Sequence, residues 1–162
     1  MTWALVGIAV VVVAILAVLG IGAALPKNHR VEAERVVAGD PERVWELISS
    51  PQEAPKWRSD LKSAEQVAPD VVKETDKKGK SLSFRTVESK PPHRLARQIT
   101  DADLPFGGTW TISVEPAPQG SRVHIVEDGF VRPPLFRFMM RFVFGQSATM
   151  IKYLDDLANH VK

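Results

Sequence analysis

The hydrophobic pattern divides the chain sharply. From Trp3 to Leu25 every residue is Trp, Ala, Leu, Val, Gly or Ile, and no charged side chain occurs before Lys27. As a helix at 1.5 Å per residue this run measures about 34 Å, enough to cross a bilayer core of about 30 Å. It is apolar on every side, so it has no face to offer water. Residues 1–26 are therefore expected to form a transmembrane anchor, and residues 27–162 a separate folded domain. Gly22-Ala23-Ala24 would also suit a cleaved signal peptide, but the run exceeds the roughly 7 to 15 residues of a signal core, and no Lys or Arg precedes it. Lys27 and Arg30, just after the span, place the domain on the cytoplasmic side by the positive-inside rule.

Beyond the anchor the period changes several times. Val31, Ala33 and Val37 alternate with Glu32 and Glu34 and predict a first strand over residues 29–38. Asp40-Pro41-Glu42 then signals a helix start: Asp caps free backbone N–H groups, Pro suits the first turn, and Glu favours the positive end of the dipole. Val44, Leu47 and Ile48 give that helix one apolar stripe. Ser50 and Glu53 read as a capping box for a second short helix over 51–56, closed by Trp57. Six β-like runs follow at 61–68, 71–76, 80–88, 93–101, 107–116 and 121–130, separated by Pro- and Gly-rich breaks short enough to favour antiparallel pairing. After Pro133 and Pro134 the period becomes about 3.5, with Phe136, Met140, Val143, Met150, Leu154 and Val161 along one seam of a long C-terminal helix.

Composition narrows the function. The 21 basic and 19 acidic residues give a formal net charge of +2, and both signs are interleaved along the domain. Lys77, Lys78 and Lys80 are the nearest approach to a basic stripe, so no nucleic-acid partner is expected. The chain has no cysteine, which excludes disulfides, thiol nucleophiles and zinc-thiolate sites. His29, His93, His124 and His160 lie outside any metal-ligand spacing, and Asp101 with Asp103 lacks the further ligands calcium needs. There is no Gly-x-Ser-x-Gly elbow and no phosphate-cradling Gly loop. Neither a metal nor a cofactor is expected.

The order strand, two short helices, six strands and a terminal helix resembles the helix-grip fold of the START-like superfamily, which includes polyketide cyclase/dehydrase and lipid-transfer proteins. Asp40-Pro41-Glu42-Arg43-Val44-Trp45 looks like that family's strand-to-helix entry, and Trp57 stands where its short helices commonly end. Lys90-Pro91-Pro92-His93-Arg94-Leu95, Gly107-Gly108-Thr109-Trp110 and Glu127-Asp128-Gly129 continue the likeness through nearly all of 29–161. The resemblance implies an α+β domain in which a curved antiparallel sheet of about seven strands wraps around the last helix and leaves an apolar cavity. Members hold lipids, sterols, quinones, polyketides or hormones there. Fold alone cannot choose among these ligands.

Trp57, Phe84, Trp110 and Phe130 are large apolar groups on elements expected to face such a cavity. Arg97 sits between Leu95 and Ile99, and Glu127 continues the face of Val123 and Ile125; as partners they would orient a ligand's polar end. The segment from Leu135 to Phe144 carries more aromatic and Met residues than one helix face needs, and only Arg137 and Arg141 interrupt it. Phe138, Met139, Phe142 and, further on, Met150 are its candidate ligand contacts, while the two arginines are placed to meet anionic headgroups. Gly145 inside the helical pattern either makes room for a ligand or breaks the helix in two. The reading is a membrane-tethered module that binds a hydrophobic small molecule. A cyclase-type enzyme using the same cavity and a protein-interaction module with a vestigial pocket are the alternatives, and no catalytic residue is assigned.

Overall fold

The period-two segments pair into one sheet. The computed structural model describes residues 2–161; Met1 and Lys162, which end the expected anchor and domain, lie outside the described residues. Strands β1 (Asn28–Val37), β2 (Leu61–Ala68), β3 (Val71–Asp76), β4 (Ser81–Lys90), β5 (Arg94–Ile99), β6 (Phe106–Ala117) and β7 (Gly120–Val131) are antiparallel throughout, in the order β1-β7-β6-β5-β4-β3-β2. Between β1 and β2 the chain crosses the sheet with α2 (Pro41–Ser49) and α3 (Ala54–Trp57). Irregular register at Leu61/Ser63 and Gln66/Ala68 on β2 and at Thr86/Glu88 on β4 bends the sheet. The expected strand boundaries hold to within two or three residues.

Asp40 acts as expected: its Oδ1 accepts from the Arg43 backbone N–H at 2.7 Å, and Pro41 opens α2. The capping box at Ser50 does not form. Ser50 donates its hydroxyl to Gln52 Oε1 at 3.1 Å, Glu53 pairs with Lys56 at 2.6 Å, and residues 51–53 turn before α3 begins. A Pro directly after Ser50 pulls that residue toward extended backbone, and it serves instead as the C-cap of α2.

The terminal helix is divided. Helix α4 (Pro134–Met139) runs into one wide π turn (Met140–Phe144), Gly145 takes φ of +79°, and α5 (Ala148–His160) restarts beyond it. A side chain at 145 would be strained in that conformation. Only the second piece grips the sheet. Met150, Leu154 and Leu157 of α5 are buried with Leu47, Ile112, Val114, Val123 and Ile125 in one core, whereas Phe136 and Val143 of the expected seam are 54% and 57% exposed. The physical reason lies in a second partner: α4 turns away from the sheet and packs against α1 (Thr2–Ala24).

Helix α1 is long and apolar enough to cross a membrane, and its side chains project away from the domain, Leu5 to Leu16 being about half exposed or more. Its one buried residue is Gly22, where a Cβ would come within 2.1 Å of the Pro134 carbonyl oxygen. Gly22 therefore sets the closeness of the α1–α4 contact.

Two outcomes follow from this packing. Leu157→Ala, which empties a fully buried site, is expected to destabilise the domain by about 2–5 kcal/mol in urea unfolding. Gly22→Leu is expected to leave that unfolding unchanged while separating α1 from α4, which a cross-link between cysteines placed at 21 and 135 would register as lost.

Candidate functional site

The concave face of the sheet carries an unusual row. Register places Val31, Glu127, Trp110, Arg97 and Thr86 side by side across β1, β7, β6, β5 and β4. Two residues further along each central strand the same face is apolar again, with Ile125, Ile112 and Leu95. A polar band therefore crosses the gripped face next to the sealed core.

Arg97 and Glu127 both turn inward, but they do not pair. Trp110 stands between them, and two strand spacings put their backbones nearly 10 Å apart, at about 4.8 Å each. Glu127 instead accepts from Trp110 Nε1 at 2.7 Å through Oε2 and meets His29 Nε2 at 3.1 Å through Oε1. Arg97 donates to the Ser49 carbonyl at 3.3 Å and lies 3.8 Å from Glu74, while its Nε is buried without a partner. Glu74, 7% exposed on β3, is the anchor of that half: it also accepts from Arg58 Nη1 at 2.5 Å. Arg58 in turn pairs with Asp60 at 2.9 Å and lies over the Tyr153 ring at 5.4 Å. Burial would lower the Arg58 guanidinium, but Glu74 and Asp60 more than offset it and hold its pKa above the ordinary value.

Tyr153 of α5 joins the two halves. Its ring meets Trp57 edge-on at 4.8 Å and Trp110 at 5.7 Å, the geometry aromatic quadrupoles favour. Burial pushes its phenol up to about 12, against the pull of Arg58 and Arg97. Trp57 is 6% exposed, and its indole N–H donates to the Leu47 carbonyl at 3.3 Å.

A cavity of about 330 Å³ opens where α1 ends, lined by Leu25, Lys27 and His29 on one side and Arg137, Met140, Arg141 and Gln146 on the other. His29 connects it to the polar band, since the same imidazole meets Glu127. A second hollow of about 390 Å³ lies by the β5–β6 loop, lined by Ile99, Asp101, Phe106, Thr109, Phe130 and Arg132.

The candidate residues fall into three places. Trp57, Arg97, Trp110 and Glu127 are brought together on the gripped face. Phe84 is half-buried on β4 beside Ile99 and Val72, and Met150 is fully buried in the core. Phe130 alternates to the opposite face from Glu127, with Arg132 stacked 5.1 Å above its ring. Phe138 and Phe142 pair with each other at 4.9 Å, and Phe142 is 58% exposed, so these two and Met139 belong to the α4 side and do not line the cavity at the foot of α1. Sequence reasoning did not single out Arg58, Glu74 or Tyr153. The shared face of Val72 and Glu74, two residues apart on β3, was the available signal for Glu74.

A seven-stranded antiparallel sheet closed by a C-terminal helix, with two short helices between its first two strands, defines the START-like helix-grip class. The sequence profile of the polyketide cyclase / dehydrase and lipid transport family matches residues 28–162, and the chain belongs to that family. Among curated proteins no relative matches it. The fold is similar to a conserved protein from Geobacillus kaustophilus (16% identity over 83% of this chain and 94% of that one, TM-score 0.66). It is similar also to norcoclaurine synthase from Thalictrum flavum, solved as a point mutant with a transition-state analogue (15%, 83% and 94%, TM-score 0.63). A third likeness is to StfQ, a di-domain ARO/CYC protein of the steffimycin biosynthetic pathway (14%, 83% and 51%, TM-score 0.64).

Two measurements check the polar band. Glu74→Gln leaves Arg58 and Arg97 without their shared counter-charge and is expected to lower stability by about 3 kcal/mol in urea unfolding. For Tyr153 the folded phenol titrates above its ordinary value of 10.0, so the unfolded chain releases its proton first. Stability is then whole below pH 10 and declines as pH rises toward about 12. Tyr153→Phe is expected to remove that part of the decline.

Proposed function

We propose that the protein is a membrane-tethered binding module. Residues 1–26 act as the anchor, residues 27–162 form the ligand-binding domain, and the cavity at the foot of α1 admits a hydrophobic small molecule of the lipid, quinone or polyketide kind. One observation carries this reading: the cavity opens where an exposed apolar helix meets the domain, beside a segment whose Phe136, Phe142, Val143 and Phe144 are 54–61% exposed. Apolar surface of that extent is rarely left to water. A ligand dissolved in the bilayer would reach the mouth without crossing solvent, and the few residues between α1 and β1 hold that mouth at high effective concentration beside the membrane. Family membership supports the choice of cargo. Lys27 and Arg30 favour a cytoplasmic domain by the positive-inside rule.

An enzymatic reading of the cyclase type has its own support in the His29–Glu127 pair, since His29 lines the cavity and a carboxylate stands behind it. Such a pair can shuttle a proton. Turnover of an added polyketide-like substrate that disappears in Glu127→Gln would favour it over simple carriage.

The test of the binding module uses the full chain, purified from membranes that resist alkaline carbonate extraction. Organic extracts of the native and the denatured protein are compared by mass spectrometry. A stoichiometric apolar molecule released only on unfolding is the expected result. A folded chain that carries none, or a chain that carbonate strips from the membrane, would contradict the proposal.

A further inference from the structure

The cavity at the foot of α1 is lined by cations without counter-ions. Arg137 is 8% exposed, its Nε is buried with no hydrogen-bond partner, and its side chain faces this cavity. Arg141, one turn further on, and Lys27, directly after α1, line the same space. Among the described residues none of the three makes an ion pair, although thirteen ion pairs form elsewhere. No carboxylate lines the cavity, and the two other basic residues at its wall are already engaged, His29 with Glu127 and Arg30 with Asp128. A buried guanidinium left without a partner is unfavourable, and it waits for an anion. Guanidinium groups match phosphate oxygens two at a time.

The surroundings decide which anion. Leu25 and Met140 line the cavity too, so apolar groups stand beside the cations on both of its walls. The exposed faces of α1 and of the π turn continue that apolar lining outward. A soluble phosphate has no use for such a wall, whereas a phospholipid places its phosphodiester and its chains on opposite sides of one plane. We infer that Lys27, Arg137 and Arg141 form a site for the phosphate of an anionic membrane lipid, held while its chains remain against α1 and α4. This site rests on the membrane tethering proposed above and lies at the cationic residues of the same cavity that is proposed to admit the apolar cargo.

The experiment reconstitutes the full chain into lipid nanodiscs of phosphatidylcholine alone and of phosphatidylcholine with one fifth phosphatidylglycerol. Lipids retained after transfer to neutral detergent are counted by native mass spectrometry. The expected result is one phosphatidylglycerol retained at least tenfold above its share of the disc. That enrichment disappears in the Lys27→Gln/Arg141→Gln double variant, whose two positions are exposed and leave the fold intact. Arg137→Lys keeps the charge but not the fork and is expected to retain part of the enrichment. Inorganic phosphate at millimolar concentration should not displace the lipid. Equal retention of both lipids, an unchanged double variant, or displacement by inorganic phosphate would each overturn the inference. In those cases a neutral molecule still released on unfolding leaves the proposed function standing. Failure of the chain to enter either disc would remove the tethering, and the inference with it.

Discussion

Met150, Leu154 and Leu157 on one side of α5 share a dry core with Val114, Val123 and Ile125 of β6 and β7, none of these more than 2% exposed. That contact fixes where everything else on the concave face stands. It seals the middle of the grip, so open space is found at its end, near Leu25 and Gln146. It also presents Tyr153 to the polar band, because residue 153 neighbours 150 and 157 on the same side of the helix. The close-packed interior tolerates few voids of its own, and the cavity's location beside α1 follows from that constraint.

The polar band has a different logic from the core. Glu74 holds Arg58 and Arg97 on one side, Glu127 holds His29 and Trp110 on the other, and three aromatic rings fill the space between. Buried charges of this kind add little net stability and are unfavourable to break. They do orient: each of the two carboxylates fixes two side chains from other strands or loops. On the proposed reading His29 is the link from this band to the cavity that admits the ligand.

Much of the fold was legible because strands of this chain alternate cleanly and their breaks carry Pro and Gly. Asp40 as a cap, the seven strands and the two short helices were all read from local pattern. What local pattern missed depended on neighbours distant in sequence. The pattern offers Arg97 and Glu127 either as groups turned into the cup or as exposed edge residues, and their inward setting and their partners are decided by strand register, with Trp110 between them. Phe130 went to the far face by strict alternation from Glu127, a consequence of an unbroken register between β6 and β7. Period gives the seam from Phe136 to Val161 as one long helix with Gly145 marking either room for a ligand or a break, because periodicity does not reveal what a helix packs against. Gly145 carried the signal for the break, and Gly22 carried the signal for the partner that α4 takes instead.

On the tethered reading α1, α4 and the π turn share the bilayer while the rest of the domain stands outside it. The chain has no native cysteine, so single spin labels can be placed at will. Labels at Leu16→Cys, Phe144→Cys and Gln119→Cys in full chain reconstituted into vesicles would be compared for contact with dissolved oxygen and with a water-soluble nickel chelate. Positions 16 and 144 are both expected to be reached by oxygen and shielded from the chelate, with 119 open to water. Equal access of the chelate to 144 and 119 would overturn this reading, and would return the apolar face of the π turn to solvent.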